Sequence, residues 1–207
     1  MSNPGTTIFL ISPASCGGRR AELLLSGRGR FDLAQRLDAG AAVPLAEAFS
    51  FLSGLYFRGK HAYATAFGAT MPGLPSSLVI TTNRGLLPPD TAVTRDDLAA
   101  FGAVDIDLAD DRYRVPLSRD ATDLAAQLPE AGRVVLLGSI ASGKYVDLLL
   151  EVFGERLMFP AEFVGRGDMS RGGLLLRAVD AGVELDYTPV AGAERRGRRP
   201  PRLEPRR

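Results

Sequence analysis

Apolar residues fall into short continuous runs separated by longer stretches with helical spacing. TTIFLIS (6–12), SSLVITT (76–82), RVVLLGSI (133–140) and RLMFP (156–160) are bounded by Gly, Pro and Ser, which predicts buried strands. VELDYTPV (183–190) predicts a last one. Helical spacing marks RRAELLLS (19–26), TRDDLAAF (94–101), SRDATDLAAQLP (118–129), KYVDLLLEVFG (144–154) and SRGGLLLRAVDAG (170–182). Thr94 and Ser118 read as N-caps with acids in the first turn, and Gly154 as a helix stop. From Leu45 to Phe67 the helical pattern is interrupted by Gly54 and Gly59, giving one long helix or two short ones. Residues 26–44 fit neither period, and the glycine and double proline of NRGLLPPD (83–90) end the second strand.

Strands alternating with helices predict an α/β fold, a three-layer sandwich with a mostly parallel central sheet. In such sheets ligands bind outside the carboxyl ends of the strands. That rim would carry Ser12, Ser15 and Cys16 after the first strand, then Thr82, Asn83 and Arg84 after the second. Gly138, Ser139 and Lys144 would follow the third strand, and Arg166, Asp168, Ser170 and Arg171 the fourth. These segments are small, polar or basic, which suits a phosphate, a carboxylate or a nucleotide. Ordinary βα loops are also polar, so that reading stays open beside the first.

The 207 residues suit one domain over 1–193, followed by an Arg/Pro-rich tail over 194–207. No run approaches the ~20 apolar residues of a membrane span, so no membrane partner is expected. One cysteine and one histidine leave no disulfide and no Cys/His zinc site, and neither a metal nor a cofactor is implied. The start of the chain lacks the pattern of a secretory leader, so a cytoplasmic location is expected. The net charge of +1 is uneven, because residues 194–207 hold seven arginines against two glutamates. That tail is expected to be disordered, either as a solubilising overhang or as an electrostatic contact to nucleic acid. Among 25 basic residues only Lys60 and Lys144 are lysines, pointing to places where a compact ammonium is wanted.

Three segments carry candidate chemistry. GSIASGK, Gly138–Lys144, has the spacing of a phosphate-binding loop between a strand and a helix, where glycines, helix N–H groups and Lys144 would converge on an anion. Tyr145 stands where such a loop has the Ser or Thr that holds Mg²⁺, so an NTPase, an anion loop of another fold and an ordinary turn all remain open. FVGRGDMSRGG, Phe163–Gly173, offers Arg166 and Arg171 as an oxyanion clamp with Asp168 between them as a base; the alternative is a helix cap by Asp168 or Ser170. SPASCGGRR, Ser12–Arg20, puts Cys16 at a helix start beside Arg19 and Arg20, a setting that lowers a thiol's pKa. A base for it would have to be His61, brought in by the fold. The acids Asp105, Asp107, Asp110 and Asp111 read as solvated turns.

Cys16-Gly-Gly-Arg19-Arg20, then Tyr56-Phe57-Arg58-Gly59-Lys60-His61-Ala62-Tyr63-Ala64, then Thr82-Asn83-Arg84-Gly85-Leu86-Leu87-Pro88-Pro89-Asp90 resemble a group of uncharacterised bacterial domains. Those domains look related to the uracil-DNA-glycosylase-like segment of archaeosine-type tRNA-modifying enzymes. The resemblance covers residues 8–97 and implies a three-layer α/β sandwich acting on a nucleobase or glycosidic bond. Cys16, Arg19, Lys60, Asn83 and Arg84 fall on the matching positions. Thr82-Asn83-Arg84 replaces the family's Ser-Ala-Lys. The expected ligand is therefore a nucleotide, nucleoside or nucleobase. An enzyme with Asp168 and Cys16 as catalytic residues, a non-catalytic nucleotide- or nucleic-acid-binding module and a P-loop-like NTPase are the three functions the sequence admits.

Overall fold

The computed structural model describes residues 6–68, 72–201 and 203. Its sheet has six strands: β1 (Thr7–Ile11), β3 (Ser77–Ile80), β4 (Leu86–Leu87), β6 (Arg133–Leu137), β7 (Leu157–Pro160) and β8 (Tyr187–Pro189), in the order β4-β3-β1-β6-β7-β8. The inner four are parallel, and both edge strands run antiparallel to their neighbours. β1 and β3 are buried along their whole length, as expected for strands covered on both faces, which explains why their sequences read as continuous apolar runs. A separate two-stranded ribbon joins β2 (Val43–Pro44) to β5 (Ala92–Val93).

The helices are α1 (Arg19–Leu25), α2 (Asp32–Asp38), α3 (Leu45–Ser53), α4 (Leu55–Phe67), α5 (Arg95–Gly102), α6 (Asp111–Gln127), α7 (Gly143–Phe153) and α8 (Asp168–Ala181). α4 packs against α8, α3 and β1, whereas α6 packs against α7 and β4, so the sheet lies between helical layers. The α/β sandwich and its mostly parallel sheet are as the patterning predicts. The region from Leu45 to Phe67 forms two helices, broken at Gly54, whose φ of 62° is open to glycine and costly for other residues. Gly59 does not interrupt a helix. A Cβ there would lie 2.7 Å from the carbonyl oxygen of Gly172, so this pair of glycines lets α4 and α8 cross backbone to backbone.

Thr94 caps α5 in a reciprocal capping box with Asp97, as its position suggested. Ser118 is not a cap. α6 begins at Asp111 and is capped by Asp110, whose carboxylate accepts from the Arg112 N–H at 2.9 Å. The acid-rich turn holds the better capping residue, and the helix runs through Pro116. The ambiguous stretch 26–44 forms α2 and β2.

The segment from Glu194 to Pro201 has no helix or strand and lies against the body. Arg195 pairs with Asp147 at 2.7 Å, Arg196 donates to the Ala141 carbonyl at 3.4 Å, and Arg166 donates to the Pro201 carbonyl at 3.5 Å. No helix among the described residues is long and apolar enough to cross a membrane.

Candidate functional site

β1 is flanked by β3 on one side and β6 on the other. The chain leaves β1 toward β3 and leaves β6 toward β7, so the two exits diverge and open a crevice at their carboxyl ends, where open parallel sheets bind ligands. A cleft of about 660 Å³ occupies this place, within the usual range for a small-molecule site. Ser12, Ser15 and Cys16 line it from the loop after β1, Tyr56 from α4, and Thr82 from the loop after β3. Ser139, Ser142, Lys144 and Tyr145 line it from the loop after β6 and the start of α7, Asp168 from the first residue of α8, and Asp105 from the loop after α5.

Four distant loops thus meet over one edge of the sheet. Of the residues the sequence singled out, Ser12, Ser15, Cys16, Thr82, Ser139, Lys144 and Asp168 share this lining. Lys60, Gly138 and Arg171 stand behind the wall. Lys60 has no exposed surface, and its ammonium donates to the Ser12 carbonyl at 2.6 Å and to the Ser12 hydroxyl at 2.8 Å. It lies 4.3 Å from the centre of the Tyr56 ring and 5.2 Å from that of Phe57, a cation–π setting. Burial lowers its pKa to about 7, against the pull of the Asp168 carboxylate and with the push of Arg171. Gly138 is a close approach: a Cβ there would fall 2.9 Å from both the Ser12 Cβ and the Tyr145 hydroxyl.

The other expected residues lie elsewhere. Arg19 is exposed at the start of α1. Asn83 and Arg84 line a separate shallow hollow with Asp97 and Arg112, where Asn83 donates to the Ala100 carbonyl at 3.1 Å and Arg84 pairs with Asp97 at 3.3 Å. The expected oxyanion clamp does not form, because both arginines are engaged by neighbouring groups of the fold, Arg166 near the surface and Arg171 in the interior. Arg166 donates to the Glu162 carbonyl at 2.9 Å and the Ser170 hydroxyl at 3.2 Å, while buried Arg171 donates to the Phe163 carbonyl and to Asp168, each at 3.2 Å. Neither Asp168 nor Ser170 caps α8; the cap position is Gly167. Asp168 is instead two-thirds exposed in the cleft and anchored from behind by Arg171.

Cys16 is not the activated thiolate its neighbours suggested. Burial pushes its pKa up to about 12, and its thiol faces the Ala14 carbonyl. His61 lies in another hollow, with Pro44, Pro75 and Asp90, so no Cys16–His61 pair forms. Arg19 and Arg20 point outward and lend the thiol no charge; Arg20 donates to the Phe51 carbonyl at 3.1 Å.

The Gly138–Lys144 loop does connect a strand to a helix. Tyr145, at the position of a metal-binding hydroxyl, donates to the Ser139 carbonyl at 3.1 Å and also faces the Ser12 hydroxyl. The cleft's charges are mixed, with Lys144 against Asp105 and Asp168, and not the strongly positive set expected from the loop composition. Among the described residues no three His, Cys, Asp or Glu side chains converge as metal ligands. Tyr56 and Tyr145 were missed as site residues. The Tyr56 hydroxyl is buried without a hydrogen-bond partner, beside the Arg171 guanidinium. Its only sequence signal is its place one helical turn before Lys60, on the same face of α4.

Comparison with known proteins returns no relative: no family model matches the chain, and neither a curated protein nor a solved structure is significantly similar to it.

Proposed function

We propose that the protein is an enzyme that binds a nucleotide, nucleoside or nucleic-acid base in this cleft and carries out glycosidic-bond or group-transfer chemistry on it. The observation that carries the reading is that α7 and α8, two full-length helices, both begin at one crevice at the switch point of a parallel sheet, with Lys144 and Asp168 in their first turns. Helix N-termini and a lysine favour a phosphate. A carboxylate held by a buried arginine suits a ribose hydroxyl, a base N–H or a developing cationic centre. The resemblance of residues 8–97 to uncharacterised domains that look related to a glycosylase-like segment supports the same ligand class; of its matching positions, Cys16 lines the cleft and Lys60 stands behind its wall.

A thermal-shift panel of nucleobases, nucleosides, mono- and triphosphates tests the reading, since a ligand of the folded state raises the melting temperature according to its affinity. A nucleoside or its monophosphate should raise it, with Lys144→Ala reducing the phosphate-dependent part and Asp168→Asn abolishing turnover. A panel in which nothing shifts the melting temperature refutes the proposal. Selectivity for a triphosphate with Mg²⁺ would favour a P-loop-like NTPase. Binding of RNA or DNA without turnover would favour a non-catalytic module using the arginines that begin at Arg195, beside the start of α7.

A further inference from the structure

We propose that Ser12 is a nucleophile and Lys60 its proton acceptor, forming a serine–lysine pair that attacks ester or amide carbonyls presented in the cleft. This goes beyond the nucleotide reading and does not depend on the ligand's base or phosphate.

Four observations converge on it. Ser12, a buried residue, lines the cleft at the carboxyl end of β1, where the loop leaves the sheet. The Lys60 amine approaches that hydroxyl at 2.8 Å from the buried side and holds the Ser12 carbonyl at 2.6 Å, which fixes the serine's backbone as well as its side chain. Gly138 lets the backbone after β6 pack closely against the serine, since a Cβ there would fall 2.9 Å from the Ser12 Cβ and from the Tyr145 hydroxyl. The Tyr56 hydroxyl, buried, unpartnered and on the cleft wall, is a donor left for a substrate oxygen.

A buried lysine is a competent base only when neutral, and its surroundings decide that. Desolvation and the Arg171 guanidinium disfavour the ammonium, the Asp168 carboxylate and the faces of the Tyr56 and Phe57 rings favour it, and Tyr145 reaches the pair only through the Ser12 hydroxyl. The outcome is a pKa near 7. In the neutral amine one N–H remains on the Ser12 carbonyl, and the nitrogen lone pair accepts the Ser12 O–H along the same contact.

The step balances without any further reagent than water. Ser12 Oγ bonds to the carbonyl carbon, the carbonyl π pair moves to oxygen, and the hydroxyl proton passes to Lys60 Nζ. The tetrahedral adduct collapses, the bond to the alkoxide or amine leaving group breaks, and that group takes the proton from Lys60. A water molecule then adds to the seryl ester, giving its proton to the neutral amine. Collapse releases the carboxylic acid, and the amine's proton returns to Ser12 Oγ.

The test is covalent labelling of the intact protein by a fluorophosphonate, read by mass spectrometry with the modified peptide mapped. The expected result is one adduct on Ser12, absent in Ser12→Ala. Its rate should rise with pH around a midpoint near 7 and fall about a hundredfold in Lys60→Met. Asp168→Asn should move the midpoint downward, because it removes the charge that favours the ammonium; this readout remains if Lys60→Met fails to fold. Absence of a Ser12 adduct on the folded wild type, or a labelling rate flat across pH 5.5–8.5, overturns the proposal and leaves Lys60 as a clamp on the loop. Neither outcome bears on whether nucleotides shift the melting temperature, so the two proposals fail separately.

Discussion

Lys60 ties the protein's stability to pH in a direction that can be worked out in advance. Its amine has a pKa of about 7 in the folded chain against 10.5 for an ordinary lysine. Below pH 7 both folded and unfolded chains hold the proton, and the cost of burying the charge is fully present. Above pH 7 the folded chain releases a proton that the unfolded chain keeps until about 10.5. The unfolded state then binds more protons, so stability rises with pH, approaching about 1.4 kcal/mol per pH unit. Two neighbouring titrations bound the window. His61, whose pKa is lowered by burial, adds a rise in the same direction only below about its ordinary 6.5. Cys16, raised from 9.0 to about 12, makes stability fall with pH once the unfolded thiol ionises near 9. Between pH 7 and pH 9 the lysine dominates, and the expected gain is about 2 kcal/mol. Urea unfolding at half-unit pH intervals measures it, with Lys60→Met as the control of similar length and no titrating group. The methionine leaves the Ser12 carbonyl without its donor, so the slopes are compared and not the absolute stabilities. A wild-type stability that is flat or falls from pH 7 to 9, or a rise that survives in Lys60→Met, would show that the amine stays charged inside the fold.

Other substitutions probe the site's construction. Gly138→Ala puts a methyl 2.9 Å from Ser12 and Tyr145 and should cost roughly 1–3 kcal/mol, visible as a lower urea midpoint with an unchanged slope. Gly172→Ala drives a Cβ to 2.8 Å from the Leu55 carbonyl at the α4–α8 crossing and should destabilise at least as much, read by the same urea midpoint. Asp168→Asn should change stability by less than about 1 kcal/mol, since its pair with Arg171 is largely solvated on the carboxylate side. A large loss in thermal melting would instead assign Asp168 a structural task. Arg195→Ala removes an exposed ion pair with Asp147 and is expected to lower stability by no more than about 1 kcal/mol, checked by calorimetry.

The strands after which the cleft forms were legible because burial on both faces forces continuous apolar runs, as in Ile8–Ile11 and Val134–Leu137. Helix ends were legible where one local group decides them, as at Thr94 and Gly154, and misread at Ser118, where a better cap at Asp110 lengthens the helix. The loops that meet at the rim followed from the strand–helix order, which is why Ser15, Ser139 and Asp168 were rightly placed in one cleft. Asn83 and Arg84 were misplaced for a reason the order cannot convey: the chain turns back into β4, and Asn83 and Arg84 hydrogen-bond to α5, so both side chains face the adjoining hollow.

By itself, then, the chain's patterning determined the layers, the parallel sheet and the edge at which the cleft opens, because those depend on solvent exclusion and on short-range backbone preferences. It did not determine the chemical state of any group at that edge. Cys16 and Lys60 had similar polar and basic neighbours in sequence, yet burial raised the one pKa and lowered the other. Arg166 and Arg171, read as a free clamp, are tied to the Glu162 and Phe163 carbonyls instead. Ionisation and hydrogen-bond availability depend on which groups from distant segments fill the space around an atom, and here a glycine-to-glycine crossing of α4 and α8 made that decision by bringing Tyr56 and Lys60 against Ser12, Asp168 and Arg171.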